Sequence, residues 1–374
     1  MGAAVMGRQS RKAEKMRHFN SQTIIKLINI GLMLFCLWFI SLPQSVWAMS
    51  TQDEIDMGQR EAVEVERQIP LVKDSALQER VQKIGLRLAK VSERPDLPYT
   101  FKVLDSTEVN AFAIPGGFIY VYKGLIDLMP SDDELAGVIG HELGHIVKRH
   151  AIKEMEKGTG MNLLLALLTK GRDMLLQGVT MEMLMAHYSR NDEREADYLG
   201  FQHSTHAGYS PYAMLMGLEK LSKIDATYQS DLFSDHPEGK ERVRLMKKYL
   251  AEAHIHPFVK GDEKAGVVYE GNWQLPEFTA TVAGSTPLYR AYSAAGQIYQ
   301  LTRLKNLSEE HFIASPDNDG VGIYYDDQLL FVITEEDATV HNLSVDDFAS
   351  TVIQSLQEWV VLQQSKPNQS SADM

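Results

Sequence analysis

Thiols are nearly missing from this chain: Cys36 is the only cysteine in 374 residues. Any protein ligands to a metal therefore have to come from His, Asp and Glu, and no intrachain disulfide can form. Basic charge is scarce as well, with 37 Lys and Arg against 50 Asp and Glu. Residues 1 to 48 hold six of the basic residues and one of the acidic, which leaves 31 against 49 beyond them, a net −18. This balance argues against nucleic acid as a partner and favours solubility. It also disfavours tight electrostatic attachment to anionic lipid, while peripheral membrane association stays open. Apolar runs long enough to approach a membrane span are missing beyond the N-terminus, since Met161 to Leu168 is too short. No tetratricopeptide-like period is present. What remains, 44% hydrophobic and 23% charged, is the composition of a globular protein with enough chain for two cores.

At the N-terminus, Arg8, Arg11, Lys12, Lys15, Arg17 and Lys26 precede an apolar run from Leu27 to Leu42 that Pro43 closes. Val46-Trp47-Ala48 then offers a cleavage site, so residues 1–48 read as a secretory signal peptide cut after Ala48. The expectation is an exported protein of the periplasm or cell envelope, with an uncleaved anchor as the alternative. Cys36 is followed by Leu37-Trp38-Phe39 and does not read as a lipidation site.

The most telling stretch is His141-Glu142-Leu143-Gly144-His145. Four-residue spacing on a helix brings two imidazoles to one face, about one turn apart, where both can grip one Zn2+. Glu142, between the ligands, is placed to take a proton from water activated by the ion and pass it to a leaving amine, as in an HExxH metalloprotease. Leu135, Val138, Ile139, Leu143 and Ile146 lay an apolar stripe through the same turns, so the helix is meant for burial. Ser131 and Glu134 predict a capping box at its start, with Asp132 and Asp133 in the first turn. One zinc per chain needs a third ligand. The run Ser189-Arg190-Asn191-Asp192-Glu193-Arg194-Glu195-Ala196-Asp197, in a helix predicted from about Thr180 to Ala207, supplies candidates. Spacing alone does not choose among Asp192, Glu193, Glu195 and Asp197.

In these motifs the chain resembles peptidase family M48, the group of HtpX-like and Ste24-like zinc metallopeptidases. The resemblance rests on His141 to His145, then Ser189-Arg190, Glu193 and Ala196-Asp197, then Ala207-Gly208-Tyr209-Ser210-Pro211, and finally His236-Pro237 and Arg242. Asn110-Ala111-Phe112-Ala113 and Pro115-Gly116-Gly117 fit upstream, and together the motifs cover about residues 50 to 250. The resemblance implies that Glu193 is the third ligand, and that Asp197 accepts the outer N–H of a ligating imidazole and fixes its tautomer. It further implies an active-site role for His236 and Arg242, either as donors to the developing oxyanion or, for His236, as an occupant of the open zinc position. A pairing of Arg242 with Glu238 along its own helix is the structural alternative.

Phe101 to Leu104 and Phe118 to Tyr122 read as strands, with Asn110 to Ile114 extended between them and Pro115-Gly116-Gly117 as a turn. A sheet edge at Asn110, Ala111, Phe112 and Ala113 is the expected binding site for an unfolded polypeptide, added as a strand with little dependence on its sequence. Residues 158 to 185 read as core helices, or as a lid or apolar substrate groove. Further helices are predicted over Thr51 to Gln68, Ser75 to Ser92, Ser210-Pro211 to Ile224, and Pro237 to about Ala253. Residues 256–266 read as a linker. Short strands follow at Gly266 to Tyr269, Thr279 to Val282 and Gln297 to Leu304, then a hairpin of Val321 to Tyr325 and Leu329 to Thr334 turning at Asp326-Asp327. A last helix runs from a Ser344 cap to about Leu362, and His311 and His341 read as structural.

The expected fold class is α+β: a mainly helical, gluzincin-type metallopeptidase domain with a small β-sheet over 49–255, then a smaller α+β domain over 267–362 and a disordered tail over 363–374. The expected function is zinc-dependent endoproteolysis of misfolded or unassembled envelope proteins, as in protein quality control, with an envelope-protein partner held by the C-terminal domain. The alternative is a zinc-stabilised periplasmic chaperone or assembly factor that cuts little. An intramembrane peptidase of the Ste24 type is disfavoured because further spans are missing.

Overall fold

A computed structural model describes residues 49–155, 188–224 and 239–366. The chain folds first into two amphipathic helices, α1 (Thr51–Gln68) and α2 (Ser75–Ala89), the second capped by Asp74, which accepts the Ala76 and Leu77 amides. A three-stranded sheet follows from β1 (Thr100–Leu104), β2 (Ala111–Ile114) and β3 (Phe118–Tyr122), in the order β1-β3-β2. Strand β1 runs parallel to β3 and β2 antiparallel to it. Alternation splits the side chains between two cores. Phe101, Val103, Ala111, Ala113, Ile119 and Val121 join a core with Ile84 and Leu88 of α2. Phe112, Ile114, Phe118, Tyr120 and Tyr122 pack with Ala62 and Val65 of α1. The predicted turn between β2 and β3 needs glycine: Gly116 and Gly117 have φ of +88° and +108°. A Cβ on Gly116 would stand 2.7 Å from the Ile55 Cα.

Helix α3 (Lys123–Leu128) leads to α4 (Asp132–Val147), which carries the two histidines. The Ser131–Glu134 capping box forms as predicted, and every residue from Glu134 to Val147 is buried. Helix α5 (Arg190–His206) starts later than its predicted Thr180, because Ser189 caps it in a second box with Asp192. Residues 156–187 lie outside the described residues, and with them the 158 to 185 segment. Helices α6 (Ala213–Ile224) and α7 (Gly239–Glu252) complete this part.

Beyond α7 the expected linker is partly strand. Strand β4 (Phe258–Gly261) pairs with β5 (Gly266–Glu270), which pairs with β6 (Trp273–Gln274). A second sheet, β7 (Phe312–Asp317), β8 (Gly320–Tyr325) and β9 (Gln328–Ile333), contains the predicted hairpin, with Asp326 at φ +51° in its turn. Residues 297–304 are not a strand; they fall largely in helix α8 (Pro287–Leu301). Thr279 to Val282 makes only an isolated bridge, Val282 to Ser285. A short α9 (Glu335–Val340) precedes α10 (Val345–Ser365), whose Ser344 cap accepts the Asp347 amide and which runs three residues past Leu362. Residues 363–365 are therefore helical rather than tail, and 367–374 lie outside the described residues. Met216, Leu218, Met246 and Leu250 of α6 and α7 share one core with Val268, Tyr292, Ile298, Ile323 and Trp359. The fold is α+β as expected, and no described helix is long and apolar enough to cross a membrane.

Asp337 fastens the C-terminal part. Its buried carboxylate accepts the Thr279, Ala280 and Thr334 amides and both terminal nitrogens of Arg290. Burial pushes this carboxyl up, but Arg290 outweighs burial and holds it at about 2. A depressed carboxylate stabilises the fold fully above its unfolded value of about 3.9, and that contribution fades as pH falls toward about 2. Asp337→Asn is expected to cost about 3–5 kcal/mol in urea unfolding at pH 7, because it strands the Arg290 charge. The gap to wild type should narrow between pH 4 and 2; an equal gap at both ends contradicts this assignment.

Candidate metal centre

Close approach of α4 and α5 makes the site. Gly140 and Gly144 leave α4 bare toward α5, where added Cβ atoms would stand 3.1 Å from Gly200 O and 3.1 Å from the Ala196 Cα, and Gly137 does the same toward α6, 2.6 Å from the Ala213 backbone. With the helices this close, Glu193 of α5 reaches both histidines of α4. His141 Nε2 and His145 Nε2 lie 3.1 Å apart. Glu193 Oε1 is 3.4 Å from His145 Nε2, and Oε2 is 3.6 Å from His141 Nε2. A tetrahedral zinc with bonds of about 2.0–2.1 Å keeps its ligand atoms roughly 3.3–3.4 Å apart, so the triangle fits that ion. His141, His145 and Glu193 are also the only set of three potential metal ligands with this mutual proximity among the described residues, and all three are buried.

Asp197, one turn beyond Glu193, stands 3.0 Å from His141 Nδ1, on the side of the ring away from the triangle. That contact leaves Nε2 for a metal. Arg242 of α7 clamps the carboxylates: Nε and Nη2 donate to Asp197 at 2.9 and 2.6 Å, and Nη1 lies 3.1 Å from Glu193 Oε2. Burial acts to raise the Asp197 carboxyl, but Arg242 and His141 hold it below its ordinary value. Burial and Arg242 together push the His141 imidazole down, toward the neutral form a ligand needs. The guanidinium itself is pushed up against the penalty of burial, by Asp197, Glu193 and Glu142.

Glu142 is buried at 2% exposure between the two histidines in sequence, and it is not one of the three clustered ligands. Arg242 bonds Asp197 through Nε and Nη2, its Nη1 stands beside Glu193, and Nη2 also lies 3.3 Å from His141 Nδ1. His236, with Pro237 and Glu238, lies outside the described residues. Asn110 precedes β2, and its carbonyl accepts the Tyr122 amide. Ala111, Phe112 and Ala113 are in β2, which packs beside α4.

Three features escaped the reading of the sequence. His150, fully buried, stands with its Nδ1 3.0 Å from His145 Nδ1. Tyr188 stacks on the His145 ring at 3.9 Å. Glu54, at 0% exposure, receives two bonds of 3.0 Å from Arg94, whose Nη1 also donates to the Ile146 carbonyl and so ties α1 to the end of α4. None follows a helical or strand period from the motif, so no local pattern signals them. Only the nearness of His150 to His145 in sequence was a hint.

A model of peptidase family M48 matches residues 75–250, and a model described as a domain of unknown function (DUF8459) matches residues 267–362. The chain is 30% identical to the metalloprotease YcaL of Escherichia coli (strain K12), over 45% of this chain and 71% of YcaL. It is 34% identical to the mitochondrial metalloendopeptidase OMA1 of Arabidopsis thaliana, over 49% of this chain and 37% of that protein. It is 28% identical to the beta-barrel assembly-enhancing protease of Escherichia coli (strain K12), over 61% of this chain and 51% of that protein. The matches thus span about a third to somewhat over two thirds of these relatives. With the helix motif, the clustered third carboxylate and these matches together, the chain belongs to peptidase family M48.

Proposed function

We propose that this protein is a zinc-dependent endopeptidase that hydrolyses peptide bonds of misfolded or unassembled envelope proteins. The observation that carries the reading is the buried triangle of His141, His145 and Glu193, spaced for zinc, with Glu142 in the helical turn between two of its corners. Zinc, when bound, supplies a Lewis acid that polarises the scissile carbonyl and acidifies water. Glu142 takes the proton of the attacking water and returns it to the leaving nitrogen. Asp197 and Arg242 keep His141 and Glu193 in place throughout.

Substrate is held along β2. The outer edge of β1 is already closed: Gln78 bonds both the amide and the carbonyl of Val103 at 2.9 Å, and Gln82 accepts the Phe101 amide at 2.8 Å. Strand β2 pairs with β3 alone among the described residues, and it packs beside α4. A polypeptide added there presents its main chain to the zinc site with little regard for side chains, which suits unfolded clients.

Envelope clients are supported by the signal-like residues 1–48 and by the relative named for beta-barrel assembly. The part matched by the second family model is then the surface offered to an envelope-protein partner. Metal analysis tests the core of this reading. Wild type is expected to carry about one zinc per chain, and His145→Ala to lose most of it. A wild type that is metal-free and cannot be loaded contradicts it.

A further inference from the structure

We propose that His150 is a positioning residue of the metal centre, holding His145 in the tautomer that presents Nε2 to the ion and completing a chain from Glu195 and Asp192 through two imidazoles. The inference rests on the reading of His141, His145 and Glu193 as a zinc site and adds to it a residue outside the HExxH pattern.

Helix α4 ends at Val147, and the chain turns through Lys148 and Arg149, the latter at φ +56°. This reversal returns His150 to the flank of His145, where it is completely buried. The two Nδ1 atoms are 3.0 Å apart, so one must donate and the other accept. The other ring nitrogen of His150 stands 3.1 Å from Glu195 Oε2 and 3.4 Å from Asp192 Oδ1.

Among neutral rings, only one arrangement satisfies every contact. If Nε2 of His145 faces zinc, its proton is on Nδ1 and is donated to His150. His150 then carries its own proton on Nε2 and donates it to Glu195, with the Asp192 carboxylate beside it. In the reverse arrangement the His145 proton would sit on Nε2, inside the ligand triangle, while a bare His150 nitrogen lone pair would face two anions. Glu195 is itself fixed by Lys148 at 3.0 Å, and Asp192 by the Ser189 cap. The acids of the α5 run thus divide between the two rings: Asp197 serves His141, Glu193 faces the ion, and Asp192 and Glu195 serve His145 through His150.

The test compares three forms of the full chain by zinc competition against a chromophoric chelator, with thermal unfolding of each apo form beside it. His150→Phe keeps a buried ring but removes the acceptor; His150→Asn restores an acceptor oxygen near the position of Nδ1. Expected is a roughly 10- to 100-fold loss of zinc affinity in His150→Phe and recovery of most of it in His150→Asn. The cobalt-loaded forms should show the same order, with a wild-type-like visible spectrum in His150→Asn and an altered one in His150→Phe. Wild-type affinity in His150→Phe overturns the proposal. So does equal weakness of both variants with equally lowered apo stability, since that is the mark of a packing role alone. Should the wild type itself take up no zinc, the metal-centre reading fails with it, which is a different result from a wild type that binds and a His150→Phe that binds as well. Glu195→Gln, at a half-exposed position that tolerates the change, is expected to weaken zinc by a smaller factor than His150→Phe.

Discussion

Glu142→Gln is expected to lower peptide hydrolysis roughly 100- to 10,000-fold while leaving bound zinc unchanged. The substitution keeps the shape of the side chain and removes its ability to take up a proton. Because Glu142 is buried and is not one of the three clustered ligands, the triangle of His141, His145 and Glu193 keeps its donors. The loss should therefore fall on kcat, with KM for an unfolded substrate nearly constant, since the proposed β2 edge is untouched. The same variant separates the two classes of function. An assembly factor needs its metal ligands for stability but has no use for a general base. Casein-like proteolysis and protection of an aggregating client should be measured side by side. Loss of proteolysis alone marks an enzyme, whereas an unchanged value in both assays favours the chaperone reading. Loss of zinc in Glu142→Gln would instead make Glu142 part of the ligand scaffold, against the role argued for it.

The sequence was most legible where one local rule decided the outcome. The start of α4 depended on Ser131 and Glu134 bonding to each other's turn, and those residues are three apart in the chain. The pairing of His141 with His145 depended only on helical pitch. The α5 acids were a different problem. Four carboxylates stand within six positions, and each is claimed by a group from elsewhere: His150 by Asp192 and Glu195, the histidine pair by Glu193, and Arg242 with His141 by Asp197. Partners brought together by tertiary contact leave no trace in spacing, so the residues alone could not rank them. Residues 297–304 misled for a related reason. Ile298 and Tyr299 favour strands locally, but with Tyr292, Ala294, Ala295 and Leu301 they form a helical face that joins the shared core. The stretch from 256 to 266 is polar and broken by Pro257, Gly261 and Gly266, which resembles a linker, yet its pairing with β5 is what joins it to that core.

Arg242→Met should be the most destabilising single change at the site, and its size should depend on zinc. In the wild type one guanidinium neutralises two buried carboxylates, through Nε and Nη2 on Asp197 and Nη1 on Glu193. Methionine fills similar volume but removes the one cation that both buried carboxylates face, a loss of about 3–5 kcal/mol for the apo protein in urea unfolding. Without Arg242 the burial that already pushes Asp197 upward goes unopposed by its strongest partner. The carboxyl is then less firmly held as an anion, and its grip on the His141 Nδ1–H weakens. Zinc changes the balance because it is itself a cation beside Glu193. Adding it should restore part of the lost stability, so the zinc-induced gain on unfolding should be larger in Arg242→Met than in the wild type. Arg242→Lys should fall between the two, since a single ammonium cannot reproduce the planar two-bond grip on Asp197 while also facing Glu193. Equal apo stability of Arg242→Met and wild type would show that the clamp is dispensable. It would also favour the role implied by family resemblance, a donor to the developing oxyanion.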